Sequence, residues 1–292
     1  MPGAEESLAA TSTFAPSDES SNGEGNLLPT SLEAACRRKA IELATRLSGN
    51  CRMIVRTPYV LAGDLTEHEL DRQYRETILP TVRALATSYF DRLPNQPITL
   101  LMFSSGRSYR RHAQRFDGRQ RANYHGYYQK ADRRVVLNIS TGNGTLAHEL
   151  THALAHFDFP DMPEWFDEGL ASLHEESVFS KDGLRLEGVF NWRLNYLLPA
   201  IRRNRLQSLD SLIRSRSVRQ DSEALDYAHS RYFCLYLQSR QLLSHYYRKF
   251  RTNTAQDPTG RQTLCELLRC DSLDEVDRDF RNWALSLRPL KR

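Results

Sequence analysis

Apolar residues recur along this chain with two spacings, and each spacing predicts one kind of element. Between residues 145 and 155 they stand at positions 146, 147, 150, 153 and 154, which is the spacing of a helix that buries one face. Residues 97–103 form a nearly continuous apolar run, which is typical of a buried strand. We therefore expect both helices and a sheet.

The same patterns, together with turn and capping signals, divide the chain into elements. Thr66 and Glu69 fit a capping box that opens a helix running to about residue 92, with a kink at Pro80. Strands are expected at 52–61 and 97–103, and a hairpin at 124–129 and 133–139 with its turn at 130–132. Further helices are expected at 31–47, 108–115, 145–155, 164–176, 191–203, 206–213 and 222–250, followed by two that end near 286.

This order of elements predicts an α+β fold. A small mixed β-sheet and the 145–155 helix come first, and an all-helical C-terminal lobe follows them. Residues 1–30, which are rich in Ser, Thr, Glu, Gly and Pro, are expected to form a disordered tail. Residues 31–290 then form one domain, with an α/β sublobe at 31–177 and a helical sublobe at 178–290.

Composition narrows the class of protein. The 292 residues are 40% hydrophobic and 26% charged, with a formal net charge of +4, which suits a globular protein with a sizeable core. No apolar run approaches the roughly 20 residues of a membrane span, and the N-terminus lacks the pattern of a signal peptide. The sequence as it stands predicts a cytoplasmic protein. Export through a removed signal and the oligomeric state are left open.

Cysteines and arginine clusters change this picture little. The five cysteines are scattered and lack paired CxxC spacing, which indicates mostly reduced thiols. Arginine clusters at 202–205 and 214–216 could contact nucleic acid, but no recognition motif accompanies them. We therefore interpret them as solvated helix faces and expect no nucleic-acid partner.

The predicted helix at 145–155 carries an HExxH motif at residues 148–152. A spacing of four places His148 and His152 one turn apart on the same helix face, where both imidazoles can reach one metal ion. Glu149 stands between them, within reach of a water at that ion. Turn residues 141–144 precede the helix, with Asn143 or Thr145 available as its N-cap. Such a site indicates hydrolytic chemistry.

The third ligand decides the subclass of zinc hydrolase. A metzincin has a glycine three residues after the second histidine and a third ligand three residues beyond it, and here those positions hold Ala155 and Asp158. Without glycine, the turn that would return Asp158 to the metal is disfavoured. Glu168 is the better candidate, because Pro160 and Pro163 separate its helix from the first one and let the two converge.

The two segments, HELTH at 148–152 and PEWFDEGLA at 163–171, resemble the peptidase MA-like family of gluzincins. Members of that family read HExTH followed by a W/F-x-x-E-G-x-A segment. The likeness extends over roughly residues 50–288, with the motif pair highly specific and the flanking segments less so. The resemblance implies a gluzincin, or thermolysin-like zincin, fold.

The resemblance also implies roles for particular residues. His148, His152 and Glu168 would bind one Zn²⁺, and Glu149 would be the general base that takes a proton from the attacking water and passes it to the leaving amine. Tyr227 is the candidate that stabilises the oxyanion, since gluzincins commonly use a tyrosine for this, with His229 as the alternative.

The residues that support the ligands are less defined by sequence. Metal-bound imidazoles normally donate their other N–H to a carboxylate or carbonyl, and some gluzincins carry an acid four residues after the glutamate ligand, where this chain has Ser172. Asp167, Glu175 or a backbone carbonyl could serve instead. His156 is interpreted as a packing or capping residue near the helix end.

Two functions are therefore expected from the sequence. The first is a zinc-dependent metallopeptidase that hydrolyses peptide bonds, with a peptide or protein as its substrate. The second is a noncatalytic peptide-binding or scaffold protein that keeps the zincin fold, and an intact Glu149 argues against it. By family geometry, an exposed strand of the 124–139 hairpin could pair with an extended substrate.

Overall fold

The computed structural model describes residues 31–47, 49–118, 125–215 and 223–287. The expected tail at 1–30, the start of the hairpin at residue 124 and Arg216 of the second arginine cluster lie outside these ranges. Within them the architecture is a mixed α+β fold, as predicted.

A five-stranded mixed sheet forms the centre of the N-terminal half. Its strands are Arg52–Arg56 (β1), Tyr59–Gly63 (β2), Ile98–Phe103 (β3), Gly126–Gln129 (β4) and Arg134–Asn138 (β5), in the spatial order β1-β2-β3-β5-β4. β3 is parallel to β2 and β5, whereas β1 and β4 are antiparallel to their neighbours. The three inner strands are buried at every position, as expected for strands that are covered on both faces.

The single strand predicted at 52–61 was wrong, because the chain turns at Thr57 and Pro58 and forms two strands. β1 and β2 pair as a hairpin in which Arg56 lies opposite Tyr59. Proline has no backbone N–H to donate to a ladder and so ends β1. The predicted β4–β5 hairpin is confirmed over the described residues, with a 3-10 turn at Lys130–Asp132.

The helices occupy both faces of the sheet and most of the C-terminal half. Those in the described ranges are Ser31–Arg46 (α1), Glu67–Gln73 (α2), Leu79–Ser88 (α3), Gly106–Asp117 (α4), Asn143–Asp158 (α5), Glu164–Glu175 (α6), Leu194–Arg202 (α7), Leu209–Arg214 (α8), Glu223–Ser239 (α9), Leu243–Asn253 (α10), Arg261–Leu268 (α11) and Leu273–Ser286 (α12).

The helix expected from Thr66 is interrupted where the sequence predicted a kink. The capping box is confirmed, since the Thr66 N–H donates to the Glu69 carboxylate over 2.8 Å and the Glu69 N–H donates to the Thr66 hydroxyl over 3.2 Å. A π-helical segment, Tyr74–Ile78, then separates α2 from α3. Pro80, which lacks an N–H, falls in the first turn of α3. α3 ends at Ser88, earlier than the predicted residue 92.

The long helix predicted at 222–250 was also wrong, because two helices with a tight turn occupy this span. Gln241 has a φ of +60°, and the Leu242 N–H donates to the Leu237 carbonyl over 2.9 Å. A left-handed residue followed by such a bond is a common helix C-terminus. It ends α9 and redirects the chain into α10.

The C-terminal lobe was predicted to be all-helical, but it also contains a short β-hairpin. Ser177–Phe179 (β6) and Leu186–Gly188 (β7) form a small antiparallel hairpin across the predicted boundary between the sublobes. The Gln238 amide on α9 pairs with both the N–H and the carbonyl of Gly188, at 2.9 and 3.0 Å. Strands of three residues are too short to give a clear alternation in sequence.

The two predicted sublobes share one hydrophobic core, and α6 lies at its centre. Phe166 on α6 contacts Tyr246 on α10 with ring centroids 5.0 Å apart, and Trp165 contacts Phe233 on α9 at 6.0 Å. The same cluster continues through α5 to the inner face of β3 and β5. Both halves therefore hold α6 in place.

Two further expectations concern the whole of the described chain. None of the helices in the described ranges has both the length and the apolar character that crossing a membrane requires. The five cysteines all fall in these ranges and carry free thiols, as expected.

Candidate metal centre

α5 carries the HExxH residues and begins at a glycine rather than at the expected caps. Gly142 is the N-cap residue and has a φ of +94°, a conformation that favours glycine. The prediction of Asn143 or Thr145 as the N-cap was therefore wrong. Downstream, Leu146, Leu150 and Leu154 are buried against the sheet and α6, which leaves the histidine face of the helix toward the cleft described below.

α6 follows after five residues and packs closely on α9. Pro163 is at the N-cap of α6, directly before the predicted start of the helix at residue 164. A Cβ atom on Gly169 would lie 2.9 Å from the Cys234 sulfur and from the Ser230 carbonyl oxygen. Only glycine allows this approach without displacing α9. It explains why glycine follows Glu168, and it fixes the position of Glu168 relative to α5.

Three side chains from the two helices converge on one point. The Nε2 atoms of His148 and His152 lie 3.2 Å apart, and the Glu168 Oε2 atom lies 3.6 and 3.5 Å from them. Glu168 is 2% exposed and His152 6%. The three atoms therefore form a compact, nearly equilateral triangle in a water-poor environment.

This triangle fits a zinc ion. Zinc binds nitrogen and oxygen ligands at about 2.0–2.2 Å in tetrahedral geometry, so neighbouring ligand atoms are roughly 3.3–3.6 Å apart. The observed separations of 3.2, 3.5 and 3.6 Å lie close to that range. Two imidazoles and one carboxylate also suit a borderline metal, and three protein ligands leave one of four positions for water or substrate.

Asp167 connects two histidines of α5. Its Oδ1 atom lies 2.8 Å from Nδ1 of His152, and its Oδ2 atom lies 3.0 Å from Nε2 of His156. A carboxylate only accepts hydrogen bonds, so His152 carries a proton on Nδ1, and Nε2 is the ring nitrogen that faces the ligand triangle. Of the three candidates that the sequence left open, the structure selects Asp167 as the support for His152.

The charges in this cluster shift the pKa values in opposite directions. Burial, with a contribution from His152, lowers the pKa of His148 to about 3, so this imidazole is neutral at pH 7. Burial also opposes a charge on His152, but the carboxylates of Asp167 and Glu168 outweigh it and raise the pKa of His152 well above its ordinary value. Burial raises the pKa of Asp167, but the hydrogen-bonded histidines His152 and His156 lower it by more, so the net pKa is lowered and the carboxylate stays ionised.

Asp158, the third ligand of the metzincin alternative, is occupied elsewhere. Its carboxylate is fully buried and accepts hydrogen bonds from the backbone N–H groups of Asp91 and Arg92 at 3.1 and 2.7 Å. Both of its oxygens also contact Nη1 of Arg251, at 2.5 and 2.6 Å. Asp158 therefore joins the end of α5 to α10, and Glu168 is the acid that meets the two histidines.

The remaining predicted residues separate into those that line the cleft and one that does not. Glu149 is 7% exposed and lines the cleft beside His148. Tyr227 lines it as well, from the second turn of α9. His229 is fully buried and stacks on Phe280 with a centroid distance of 5.4 Å. The alternative to Tyr227 is therefore directed into the core.

A cleft of about 1210 Å³ contains the triangle. β4, the strand at the end of the five-stranded sheet, lines one side through residues 126–128, and α7 and the start of α9 line the other. Sequence reasoning did not foresee Trp192, Arg193 and Tyr196 in this lining, nor the hydrogen bond of His156 to Asp167. Residues 191–203 gave only an amphipathic helical pattern, which does not indicate what its exposed face borders.

No protein-family model matches this sequence, and no curated protein matches it either. The likeness of the motif pair to the peptidase MA-like gluzincins stays a prediction that rests on residues of this chain.

Proposed function

We propose that this protein is a zinc-dependent metallopeptidase of the gluzincin type, with a zincin fold and a peptide or protein substrate. The observation that carries the proposal is the triangle of His148, His152 and Glu168 at ligand spacing, with Glu149 beside it in an open cleft. A purely structural zinc site would present a fourth protein ligand. Among the described residues, the ligand atoms that lie within 4.8 Å of one another at this point belong to three side chains, His148, His152 and Glu168.

His148, His152 and Glu168 would hold the ion, with Asp167 keeping the His152 ring in the required tautomer and orientation. A zinc ion bound there supplies a Lewis acid that polarises a carbonyl and lowers the pKa of a coordinated water toward about 7. His148 is neutral at pH 7 and Glu168 would bind as a carboxylate, whereas His152, whose pKa is raised, would release its Nε2 proton when the metal binds.

Glu149 supplies the proton transfers. Its carboxylate accepts the proton of the attacking water as the new C–O bond forms, and it returns that proton to the amine as the C–N bond breaks. Glu149 is 7% exposed, so its carboxylate is largely shielded from bulk water while it borders the cleft.

The walls of the cleft supply orientation. The Tyr227 hydroxyl would donate a hydrogen bond to the oxygen that becomes negative in the tetrahedral intermediate. β4 presents the outer backbone edge of the sheet to the cleft, so an extended peptide could add to it as a further strand. Such pairing would hold the scissile bond along the cleft while side chains remain free to set specificity.

The test combines metal analysis with cleavage of a peptide library. The purified chain, loaded with zinc and then dialysed, should retain one equivalent of zinc and cleave library peptides at defined bonds. Glu149→Gln should keep the zinc and lose cleavage by about 10²-fold or more. The matched control Glu76→Gln, an exposed change on the π-helical segment, should behave as the parent. Bound zinc without cleavage under any condition would instead favour a noncatalytic peptide-binding protein.

A further inference from the structure

Two large aromatic side chains are exposed on the wall of the cleft. Trp192 is 46% exposed and Tyr196 48%, and their rings meet edge to face with centroids 5.8 Å apart. Eight large apolar residues are exposed within the described ranges, and of these eight only Trp192 and Tyr196 line the cleft. Exposed aromatic rings beside a proposed active site are typical of a binding surface.

Arg193 fixes the indole of Trp192. Its guanidinium carbon lies 4.3 Å from the centroid of the Trp192 ring, while Nη2 forms an ion pair with Glu175 at 2.7 Å. The Arg193 side chain is 11% exposed, so the contact with the indole is largely shielded from water, where a cation–π interaction is strongest. One face of the indole is therefore covered and the remainder is presented to the cleft.

The turn that carries Trp192 is also fixed. The Tyr232 hydroxyl accepts a hydrogen bond from the Asn191 N–H and donates one to the Asn191 carbonyl, both at 3.0 Å. The Asn191 side chain in turn accepts from the Arg193 N–H at 3.1 Å. These bonds hold the backbone on both sides of Trp192, so the aromatic surface is formed before any ligand binds, which lowers the entropy lost on binding.

The aromatic pair is linked to the ligand triangle through Arg193 and Glu175. The Arg193 guanidinium lies 5.7 Å from the ring of Tyr227, which lines the same cleft as the ligand triangle. Glu175 ends α6, and a Cβ atom on Gly144 would lie 2.3 Å from the Glu175 carbonyl oxygen. The start of α5 and the end of α6 thus position the residue that holds Trp192.

We propose that Trp192 and Tyr196 form a subsite for an aromatic side chain of the peptide substrate, close to the bond that is cleaved. This inference rests on the proposed peptidase function and adds a substrate class to it. An aromatic ring gains both apolar contact and a favourable ring geometry against this pair. The aromatic residues on the β4 side of the cleft, Tyr127 and Tyr128, are buried or half-buried, whereas Trp192 and Tyr196 are exposed and accessible to a ligand.

Binding can be measured without cleavage, because Trp192 is also a fluorescent reporter. Trp165 is fully buried and Trp283 is half-buried, so a ligand on the aromatic pair should alter mainly the emission of Trp192. We would titrate the zinc-loaded Glu149→Gln protein with acetyl-Gly-Phe-Gly-amide and with acetyl-Gly-Ala-Gly-amide. The phenylalanine peptide should bind roughly tenfold more tightly, in line with ring contact and added apolar burial.

Substitutions assign the signal to the proposed subsite. Trp192→Ala should abolish the emission change and reduce the preference for the phenylalanine peptide, measured by calorimetry, to less than about twofold. Trp192→Phe should restore most of that preference, and Trp283→Phe should leave both binding and the emission change intact. Equal affinities for the two peptides, or a preference that survives Trp192→Ala, would overturn the subsite. Tighter binding of an acetylglucosamine oligomer at Trp192 would overturn it in favour of a carbohydrate site.

Cleavage by the active protein gives an independent readout. Library peptides with an aromatic residue beside the scissile bond should be preferred, and Trp192→Ala should raise KM for them about tenfold while changing kcat less. If nothing is cleaved but the phenylalanine peptide still binds through Trp192, the peptidase proposal fails and the subsite stands. If cleavage occurs without an aromatic preference, the subsite fails and the peptidase proposal stands.

Discussion

The carboxylate of Asp167 lies 2.8 Å from Nδ1 of His152, so the residue directly before one candidate metal ligand positions the ring of another. The two helices are thereby coupled at neighbouring positions of α6, with Glu168 directed to the ligand triangle and Asp167 to the outer side of the histidine. The second oxygen of Asp167 contacts His156 at 3.0 Å. This arrangement keeps a proton on Nδ1 of His152 and fixes the orientation of its ring toward the ligand triangle.

Replacing Asp167 by Asn should weaken zinc binding about 10- to 100-fold, which is the usual effect of losing a supporting carboxylate. The neutral amide no longer favours the Nδ1 proton of His152 as strongly. Competition with a chromophoric chelator measures the affinity directly, without reference to turnover. Asp161→Asn is the matched control, because Asp161 is exposed in the connection between α5 and α6. An unchanged affinity for Asp167→Asn would contradict the positioning role.

Tyr227→Phe should lower kcat by about 10²-fold and leave the zinc content unchanged, since a single hydrogen bond to an oxyanion contributes that order of stabilisation. The hydroxyl is lost while the ring next to Arg193 remains. Steady-state kinetics on one library-derived peptide, with zinc quantified in the same samples, provide the measurement. Full activity in Tyr227→Phe would remove this residue from the mechanism.

Gly169→Ala should destabilise the fold by about 1–3 kcal/mol, the usual range for overpacking a core. The added methyl group would meet Cys234 and the backbone of Ser230 at 2.9 Å, and neither neighbour has room to withdraw from a packed helix interface. The shift of α6 should also weaken zinc binding. Urea unfolding and chelator competition check the two effects, and Ala44→Gly, at an exposed position of α1, shows how much a change of helix propensity alone contributes.

Arg251→Met should cost about 3 kcal/mol of stability, because it leaves the fully buried Asp158 carboxylate without its cation. Arg248 lies one turn earlier on α10 and is 41% exposed, so Arg248→Met should change stability by less than about 1 kcal/mol. Denaturant unfolding of the chelator-treated proteins measures both values. Similar values for the two variants would show that the buried pair contributes no more than a surface one.

His229 should make the fold sensitive to acid. Burial, with a contribution from Arg281, lowers the pKa of His229 to about 3, whereas an exposed histidine has a pKa near 6.5. Below pH 6.5 the unfolded chain binds a proton that the folded chain does not, so this residue reduces stability progressively as the pH falls toward 3. Above pH 6.5 it is neutral in both states and contributes no pH dependence.

Replacing His229 by Leu should therefore reduce the loss of stability by up to about 1.4 kcal/mol per pH unit between pH 6 and 4. Urea unfolding of the chelator-treated protein at several pH values gives the slope. His245→Gln, at an exposed position of α10, should leave the slope as it is. A slope that His229→Leu does not alter would mean that His229 is protonated in the folded state.

Local signals in the sequence determined much of the architecture. The apolar spacing of α5, the uninterrupted run of β3 and the Thr66–Glu69 capping box each depend on residues close together in the chain, and each was confirmed. Two wrong predictions of element boundaries lie at tight turns, which involve only two or three residues and leave a weak signal in the sequence. Thr57 and Pro58 divided a predicted strand, and the left-handed Gln241 divided a predicted helix, although neither site carries the glycine that usually indicates such a turn.

Sequence alone also determined which side chains were candidates for the metal, because a spacing of four on a helix places His148 and His152 together whatever the rest of the fold does. The sequence also favoured Glu168 over Asp158. Tertiary structure decided how Glu168 meets the two histidines, that Asp167 supports His152, and that Trp192, Arg193 and Tyr227 meet on the wall of the cleft. These contacts join residues that are distant in the chain, and their geometry depends on how α6 packs against α5 and α9. Patterns of neighbouring residues in the sequence do not predict how these helices pack.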